Sequence, residues 1–324
     1  MSQKVFITGA TGFVGPYLID FLKDRDPDCL IFGTCFPEHP GSCNVLDGIS
    51  LYHNDLRSEE EISESIRQVQ PDWIFHLAAV SNVGYSWTNR RETLEANLMG
   101  TFYLLDAVRK YSPQSRVLFI SSCDVYGILS PIEESLKEDF PTPPVSPYAF
   151  SKISGELLSR FYTNIEGLDI VISRSFPHTG PGQGTNFVFS DWAFQIASIE
   201  KGKSKPLIKV GNLNVRRDYS DVRDVVRAYV LLLERGKKGK IYNVCSGKAD
   251  SLTNNLDFLL SLTSKDIRVE VDPKKLRKAD IPFLLGNNEK IRNELSWTPE
   301  ISLNQTLKEL LDYWRESLNG QNNY

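Results

Sequence analysis

Short apolar runs rich in β-branched and aromatic residues recur along the first half of the chain. Each is followed by a segment whose apolar positions repeat at helical spacing. The runs fall at 4–8, 30–34, 73–77, 116–121 and 169–174, with a weaker one near 50–53 just before Asp55. Helical spacing falls near 14–24, 59–69, 95–110 and 147–165. Strands alternating with helices predict a parallel sheet with helices on both faces. Trp73-Ile74-Phe75-His76-Leu77-Ala78-Ala79 is almost uninterrupted in its hydrophobicity, which fits a central strand buried on both sides.

The pattern changes after residue 175. Pro177, Gly180, Pro181, Gly182 and Gly184 spell a loop, and shorter, mixed elements follow. Within them Asp221 to Leu233 reads as a helix and Lys240 to Val244 as a strand that returns to the main sheet. The expected division is a first domain of 1–175 plus about 216–246. A smaller, discontinuous α/β lobe takes about 176–215 plus 247–317, and 318–324 is a frayed polar tail.

The first strand runs into Gly9-Ala10-Thr11-Gly12-Phe13-Val14-Gly15 and then into helical spacing at Tyr17, Leu18, Phe21 and Leu22. Strand, glycine-rich turn and helix together bring a pyrophosphate onto a helix N-terminus. Gly9 suits the tight turn, Gly12 the close approach of phosphate and Gly15 the packing of helix on strand. A merely flexible turn is the alternative, and the position of the motif on the first strand speaks against it. The fold class is therefore α/β, a Rossmann-type doubly wound parallel sheet with a smaller substrate-binding lobe.

Candidate chemistry lies in Ser146-Pro147-Tyr148-Ala149-Phe150-Ser151-Lys152. Ser146 suits a helix N-cap and Pro147 the first helical position. Tyr148 and Lys152, one turn apart, share a face. The ammonium and the helix N-terminus are both expected to lower the Tyr148 pKa, making it a proton donor or acceptor for a sugar or alcohol oxygen. The run ending Phe119-Ile120-Ser121-Ser122 leads into Cys123-Asp124-Val125-Tyr126. A serine at a strand's C-terminal end can hydrogen-bond a substrate carbonyl, and Ser122 is preferred over Ser121 for this. Tyr126 reads as packing, and Asn97 as a helix-packing or water-holding amide.

Composition narrows the classes. With 324 residues, 41% of them hydrophobic, the chain can bury a large core. No apolar run approaches the roughly 20 residues of a membrane span, and no signal peptide is evident. A net charge of −4 argues against a general nucleic-acid binder. Cysteines 29, 35, 43, 123 and 245 lack metal-ligand spacing and read as reduced thiols of a cytoplasmic protein. The four scattered histidines suggest no metal. Residues 200–240 carry twelve Lys/Arg against five Asp/Glu. Most of that excess reads as a solvated face, but Arg216 and Arg217 could grip a diphosphate in bidentate fashion.

Taken together, the glycine motif, Asp55-Leu56, His76-Leu77-Ala78-Ala79, Asn97, Ser122 and Tyr148/Lys152 resemble the extended short-chain dehydrogenase/reductases over nearly the whole chain. The second half resembles the GDP-4-keto-6-deoxy-D-mannose reductases, which form GDP-D-rhamnose and are related to the GDP-mannose 4,6-dehydratases. Gly180-Pro181-Gly182-Gln183, Ile208 to Leu213, Arg217-Asp218-Tyr219, Asp221 to Asp224, Tyr242 to Gly247, and Leu276-Arg277 before Asp280-Ile281-Pro282 carry that likeness.

The resemblance implies reduction of the C4 carbonyl of a GDP-keto-sugar by NADPH or NADH. Tyr148 would be the acid, Lys152 the ribose-holding partner and Ser122 the carbonyl orienter, with Asp124 at the position of a dehydratase glutamate. It implies cofactor contacts from Gly9, Thr11, Gly12, Phe13, Val14, Gly15, Asp55, Leu56, Leu77, Ala78, Ala79, Asn97, Phe176 and His178. Substrate contacts would come from Ser81, Val188, Lys209, Asn212, Arg217, Arg277 and Asp280, and a homodimer would pair through helices 95–110 and 147–165.

Three positions depart from the family pattern. Pro177 stands where relatives usually carry Asn, and Asp280 where they often carry Glu. Thr34-Cys35-Phe36-Pro37-Glu38 offers neither an arginine for a 2′-phosphate nor an acid at the strand tip, which leaves NAD or NADP open. The rival readings are a dehydratase, a C4 reductase of another nucleotide sugar, and a dinucleotide sensor without turnover. The dehydratases' Arg-rich segment after the second strand is absent, and sensors tend to lose the tyrosine or lysine kept here.

Overall fold

The computed structural model describes residues 2–36, 48–128, 134–276 and 281–319. In chain order the first half holds β1 (Lys4–Thr8), α1 (Val14–Arg25), β2 (Leu30–Cys35), β3 (Ser50–His53), α2 (Glu59–Val69) and β4 (Trp73–His76). There follow α3 (Val83–Thr88), α4 (Arg90–Leu94), a π-helical turn (Glu95–Met99), α5 (Gly100–Tyr111) and β5 (Arg116–Ser122). A 3-10 turn (Cys123–Tyr126), α6 (Pro147–Asn164) and β6 (Asp169–Ser175) complete that half. The second half adds β7 (His178–Thr179), α7 (Val188–Glu200), β8 (Leu207–Val210), β9 (Arg216–Asp218), β10 (Ser220–Asp221), α8 (Val222–Arg235) and β11 (Ile241–Val244). Last come β12 (Ala249–Ser251), α9 (Leu252–Ser261), β13 (Arg268–Val271), β14 (Phe283–Leu284), α10 (Glu289–Leu295) and α11 (Leu303–Ser317).

Among the described residues the main sheet has seven strands in the order β11-β6-β5-β4-β1-β2-β3. Every neighbouring pair is parallel. The strand order reverses between β1 and β4, which opens the ligand crevice of such sheets at their C-terminal ends. Val5, Ile7, Phe75 and Leu118 point to one face, against α1 and α8. Phe6, Ile74, Val117 and Phe119 point to the other, against α2 and α5. Both faces are apolar because both are covered by helices. The strand expected at 240–244 does return to this sheet, pairing with β6 from Ile241↔Ile172 to Val244↔Ser175.

A separate apolar cluster joins α7, α9 and α11 with β8, around Trp192, Leu256, Leu307 and Leu311. Small sheets, β12-β9-β14 and β13-β8, accompany it. Two of the basic residues of 200–240 are held in internal ion pairs, Arg223 with Asp221 and Glu309, and Arg227 with Asp224 and Glu300. Cysteines 29, 123 and 245 are free thiols. Cys35 is disulfide-bonded, so the expectation of reduced thiols throughout does not hold there. Within the expected tail, Leu318 and Asn319 still hydrogen-bond to α11, and residues 320–324 lie outside the described residues. No described helix is long and apolar enough to cross a membrane.

Candidate active site

α6 begins as its sequence demands. Ser146 Oγ accepts the Ala149 N–H at 3.1 Å, and Pro147 takes the first turn. This sets Tyr148 and Lys152, both buried, against the C-terminal end of β5. Lys152 Nζ donates to the Ile120 carbonyl at 2.9 Å and lies over the rings of Phe119 and Tyr148, 5.5 and 5.9 Å from their centroids. Burial lowers its pKa to about 8.

Tyr148 departs from the expectation. Burial pushes its phenol well above the ordinary value, the Asp124 carboxylate adds to the rise, and hydrogen bonding with Ser122 opposes both. The ammonium sits over the ring and bonds a carbonyl, so the expected lowering fails. Tyr148 is thus a phenol that holds its proton firmly.

The two serines at the end of β5 separate cleanly. Ser121 Oγ donates to Glu156 Oε1 at 2.6 Å, beneath a bidentate Arg174–Glu156 pair with both contacts at 2.9 Å. It belongs to the interior. Ser122 Oγ donates to Asp124 Oδ2 at 2.9 Å and accepts the Asp124 N–H at 3.1 Å, beside Tyr148. Tyr126 donates to Asn243 Oδ1 at 2.7 Å deep in the core, as a packing residue.

The glycine turn after β1 fits a dinucleotide. Gly9 has φ +70°, and a Cβ there would sit 2.9 Å from Ala78 Cα, so the ends of β1 and β4 touch through it. A Cβ on Gly15 would lie 2.0 Å from the Ala10 carbonyl. At Gly12 it would meet only Gly9 O, at 3.2 Å, and otherwise face open space at the start of α1. That cradle, at a helix N-terminus and at the sheet's switch point, suits a pyrophosphate.

A model of the GDP-mannose 4,6 dehydratase family matches residues 6–310. The chain belongs to that family. It is 32% identical over 314 residues to GDP-6-deoxy-D-mannose reductase of Pseudomonas aeruginosa, covering 97% of this chain and 98% of that one. The structure of RMD from Pseudomonas aeruginosa complexed with NADPH matches with a TM-score of 0.83 and 30% identity, over 97% and 99% of the two chains. UDP-glucose 4-epimerase of Thermus thermophilus, a complex with NAD, matches with a TM-score of 0.87 and 26% identity, over 97% and 100%. As a GDP-mannose 4,6-dehydratase family member it is an NAD(P)-dependent nucleotide-sugar enzyme of the extended short-chain dehydrogenase/reductase type.

The remaining expected residues of this family member divide by place. Thr11, Phe13 and Val14 follow Gly9, and Phe13 stacks on His178 with centroids 6.3 Å apart and planes 11° apart. His178 Nδ1 bonds the Phe176 carbonyl at 3.0 Å, and burial lowers its pKa. The side chain of Phe176 itself is core, packed with Tyr126 and Cys245. Leu56 packs into the core under α2 and α5. Leu77, Ala78 and Ala79 are half-buried after β4, and Ser81 is exposed. Val188 opens α7, and Lys209 is exposed on β8. Asn212 Oδ1 accepts the Asn214 N–H at 3.0 Å, and Arg217 is buried with Nη1 on Arg216 O at 3.1 Å. Arg277 and Asp280 lie outside the described residues.

The fold also joins residues that the spacing kept apart. Ala78 N–H donates to Thr8 Oγ1 at 3.1 Å, and Thr8 is 2.9 Å from His76 Nδ1. His76 Nε2 is 3.0 Å from Thr101 Oγ1, which donates to Asn97 O at 2.6 Å. Because Thr101 spends its proton on Asn97, Nε2 carries the imidazole hydrogen and Nδ1 accepts from Thr8. Burial first, and the Lys152 charge second, lower the His76 pKa to about 3. The Asn97 amide, inside the π-helical turn, brackets Val80 with bonds of 2.7 and 3.1 Å and donates to Ser151 Oγ at 3.0 Å. Ser151 in turn donates to the Tyr148 carbonyl at 2.7 Å. Asn97 is therefore the joint between the loop after β4 and the first turn of α6. The signals in the sequence were the polar His76 in an otherwise apolar run and Asn97, read as a helix-packing or water-holding amide.

Proposed function

We propose that this protein reduces the C4 carbonyl of a GDP-4-keto-6-deoxy sugar, giving a GDP-6-deoxyhexose of the rhamnose type from GDP-4-keto-6-deoxy-D-mannose. The observation that carries this reading is the convergence of the buried Tyr148, Lys152 and Ser122 at the C-terminal end of β5. The likeness to a GDP-6-deoxy-D-mannose reductase supports it. Bound NAD(P)H supplies the hydride for the carbonyl carbon. The glycine turn with Thr11, Phe13 and Val14 would hold its pyrophosphate and His178 the adjoining part, while Asp55 and Leu56 sit at the adenosine end.

Ser122 donates to the carbonyl oxygen once its hydroxyl turns from Asp124, which polarises the bond. Tyr148 then gives its phenolic proton to that oxygen as the alcohol forms. Lys152 would hold the nicotinamide ribose beside the phenol. Lys209, Asn212 and Arg217 would form the GDP side of the site, to which the resemblance adds Arg277 and Asp280, and binding there would orient the small sugar. The dehydratase reading needs a carboxylate base where Asp124 stands, normally a glutamate, and here that carboxylate is one methylene shorter.

We assign 1–175 with about 216–246 to the dinucleotide domain, and about 176–215 with 247–317 to the nucleotide-sugar lobe. The separate apolar cluster of α7, α9 and α11 supports this division. We further assign a homodimer through α5 and α6. Phe150, Leu157 and Phe161 recur on one exposed stripe of α6, beside exposed Met99 and Phe102. A monomer by light scattering at micromolar concentration would count against the dimer.

The test is absorbance at 340 nm with GDP-4-keto-6-deoxy-mannose and NADPH or NADH. Stoichiometric loss of absorbance with a rhamnose-type product by NMR is expected, and Tyr148→Phe lowers turnover by about 10²-fold or more. Water loss from GDP-mannose without net cofactor use would replace the reading with the dehydratase.

A further inference from the structure

Where the small β12-β9-β14 sheet meets the end of the main sheet, a carboxylate is sealed from solvent. Asp218, the last residue of β9, is 0% exposed. Its two oxygens receive four hydrogen bonds. Oδ1 accepts the Ser246 N–H at 2.9 Å and the Ser246 hydroxyl at 2.5 Å. Oδ2 accepts the Gly247 N–H at 2.9 Å and the Gly286 N–H at 3.2 Å.

The donors come from both bodies of the fold. Ser246 and Gly247 follow β11, at one edge of the main sheet, and lead into β12. Gly286 lies between β14 and α10. Within the small sheet β9 is central, antiparallel to β12 with Asp218↔Ala249 and parallel to β14 with Arg217↔Leu284. One carboxylate therefore ties the strand that carries Arg217 to the end of the dinucleotide sheet. The joint leaves no spare room: a Cβ on Gly286 would lie 2.4 Å from Cys245 Sγ. Cys245 shares an apolar cluster with Leu284 of β14 and with Cys123, the neighbour of Ser122.

Backbone pairing with β12 and β14 already holds β9 in its sheet. The carboxylate adds direction. Both of its oxygens only accept, so it aims four donors from two loops at one point, whereas an amide would turn N–H groups towards Gly247 and Gly286. All four donors are neutral, and burial outweighs their bonds and raises the carboxyl pKa to about 6. A buried acid kept at such a cost suits a joint whose exact placement matters to a neighbouring site, because contact residues hold a ligand only as firmly as the groups behind them.

We propose that Asp218 is a positioning residue for the nucleotide-sugar side of the site: it locks β9 onto the end of the main sheet and so sets where the nucleoside diphosphate is held. The inference rests on the placement of Arg217 and the smaller lobe on that side, and not on which base or sugar is bound.

The experiment is calorimetric titration of the full chain with GDP, with UDP and separately with NADPH, for wild type and Asp218→Asn, with thermal unfolding alongside. Asp218→Asn is expected to weaken the nucleoside diphosphate by about tenfold or more and to leave NADPH within about twofold. In turnover, KM for the keto-sugar rises by a similar factor and kcat stays within about threefold. Unchanged diphosphate affinity, or an equal loss for both ligands, would overturn the proposal, since a residue that only supports the fold moves both. If Asp218→Asn does not fold, Ser246→Ala, which removes one of the four donors, carries the test. A loss of about threefold or more confined to the diphosphate supports the proposal, and unchanged affinity overturns it. Tighter binding of UDP than of GDP would count against the GDP reading alone, and the Asp218 comparison is then read on UDP with the same outcomes.

Discussion

Lys152 is a charge held where charge is costly, and its titration should be visible in catalysis. Its side chain is buried, its hydrogen bond goes to the neutral carbonyl of Ile120, and two ring faces offer only weak compensation. A fall of its pKa from 10.5 to about 8 corresponds to a few kcal/mol, on the order of 3, against the ammonium. At pH 7 roughly nine-tenths of the molecules then carry the charge, and at pH 9 roughly one-tenth. If that charge supports proton donation from Tyr148, kcat/KM for the keto-sugar falls about tenfold between pH 7 and 9. Tyr148, raised by burial, keeps its proton over this range and adds no limb of its own.

Stability supplies a second reading of the same charge. The folded pKa lies below the unfolded one, so the penalty is full below about pH 8 and disappears as pH rises towards 10.5. Lys152→Met should therefore be more stable than wild type at pH 7 by about 1–3 kcal/mol, with the gap closing above pH 10. The assays are initial rates at 340 nm from pH 6 to 10 and urea unfolding at pH 7 and 10. A rate profile flat to pH 10, together with a Met variant less stable than wild type at pH 7, would refute the reasoning.

Other expectations follow from the same geometry. Ser122→Ala should lower kcat by about 10²-fold with little change in unfolding temperature, whereas Ser121→Ala should act on stability, by about 1–2 kcal/mol, and spare kcat. Glu156→Leu leaves Arg174 buried without its carboxylate and should cost about 3–5 kcal/mol in denaturant unfolding, most of it restored in Glu156→Leu/Arg174→Met. His76 is neutral in the fold with a pKa of about 3, so its contribution is complete above pH 6.5 and is lost as pH falls. Between pH 6.5 and 4.5 the wild type should lose about 2 kcal/mol more than His76→Gln, measured by chemical unfolding at each pH.

The alternation of apolar runs with helical spacing was enough, by itself, to determine a parallel sheet with helices on both faces. Strand burial and helix amphipathicity are local properties written in residue order. The same holds for the glycine turn and for Ser146, Pro147, Tyr148 and Lys152, whose roles follow from one turn of backbone. The sequence also separated the second half as a different kind of text, and it carried the family in its motifs.

Proton affinities and long-range partners were decided only by the tertiary structure. The spacing of Tyr148 and Lys152 argued for a lowered phenol pKa, but burial of both groups and the turn of the ammonium towards Ile120 reversed the sign. Ser121 and Ser122 are neighbours in sequence and opposites in space, because successive residues of a strand face opposite sides of the sheet. Phe176 reads as a site residue and packs as core. The path from Thr8 through His76, Thr101 and Asn97 to Ser151, and the bonds of Asp218 to Ser246, Gly247 and Gly286, join segments 20 to 70 residues apart. Such contacts come from strand order and crossover, which residue spacing does not encode.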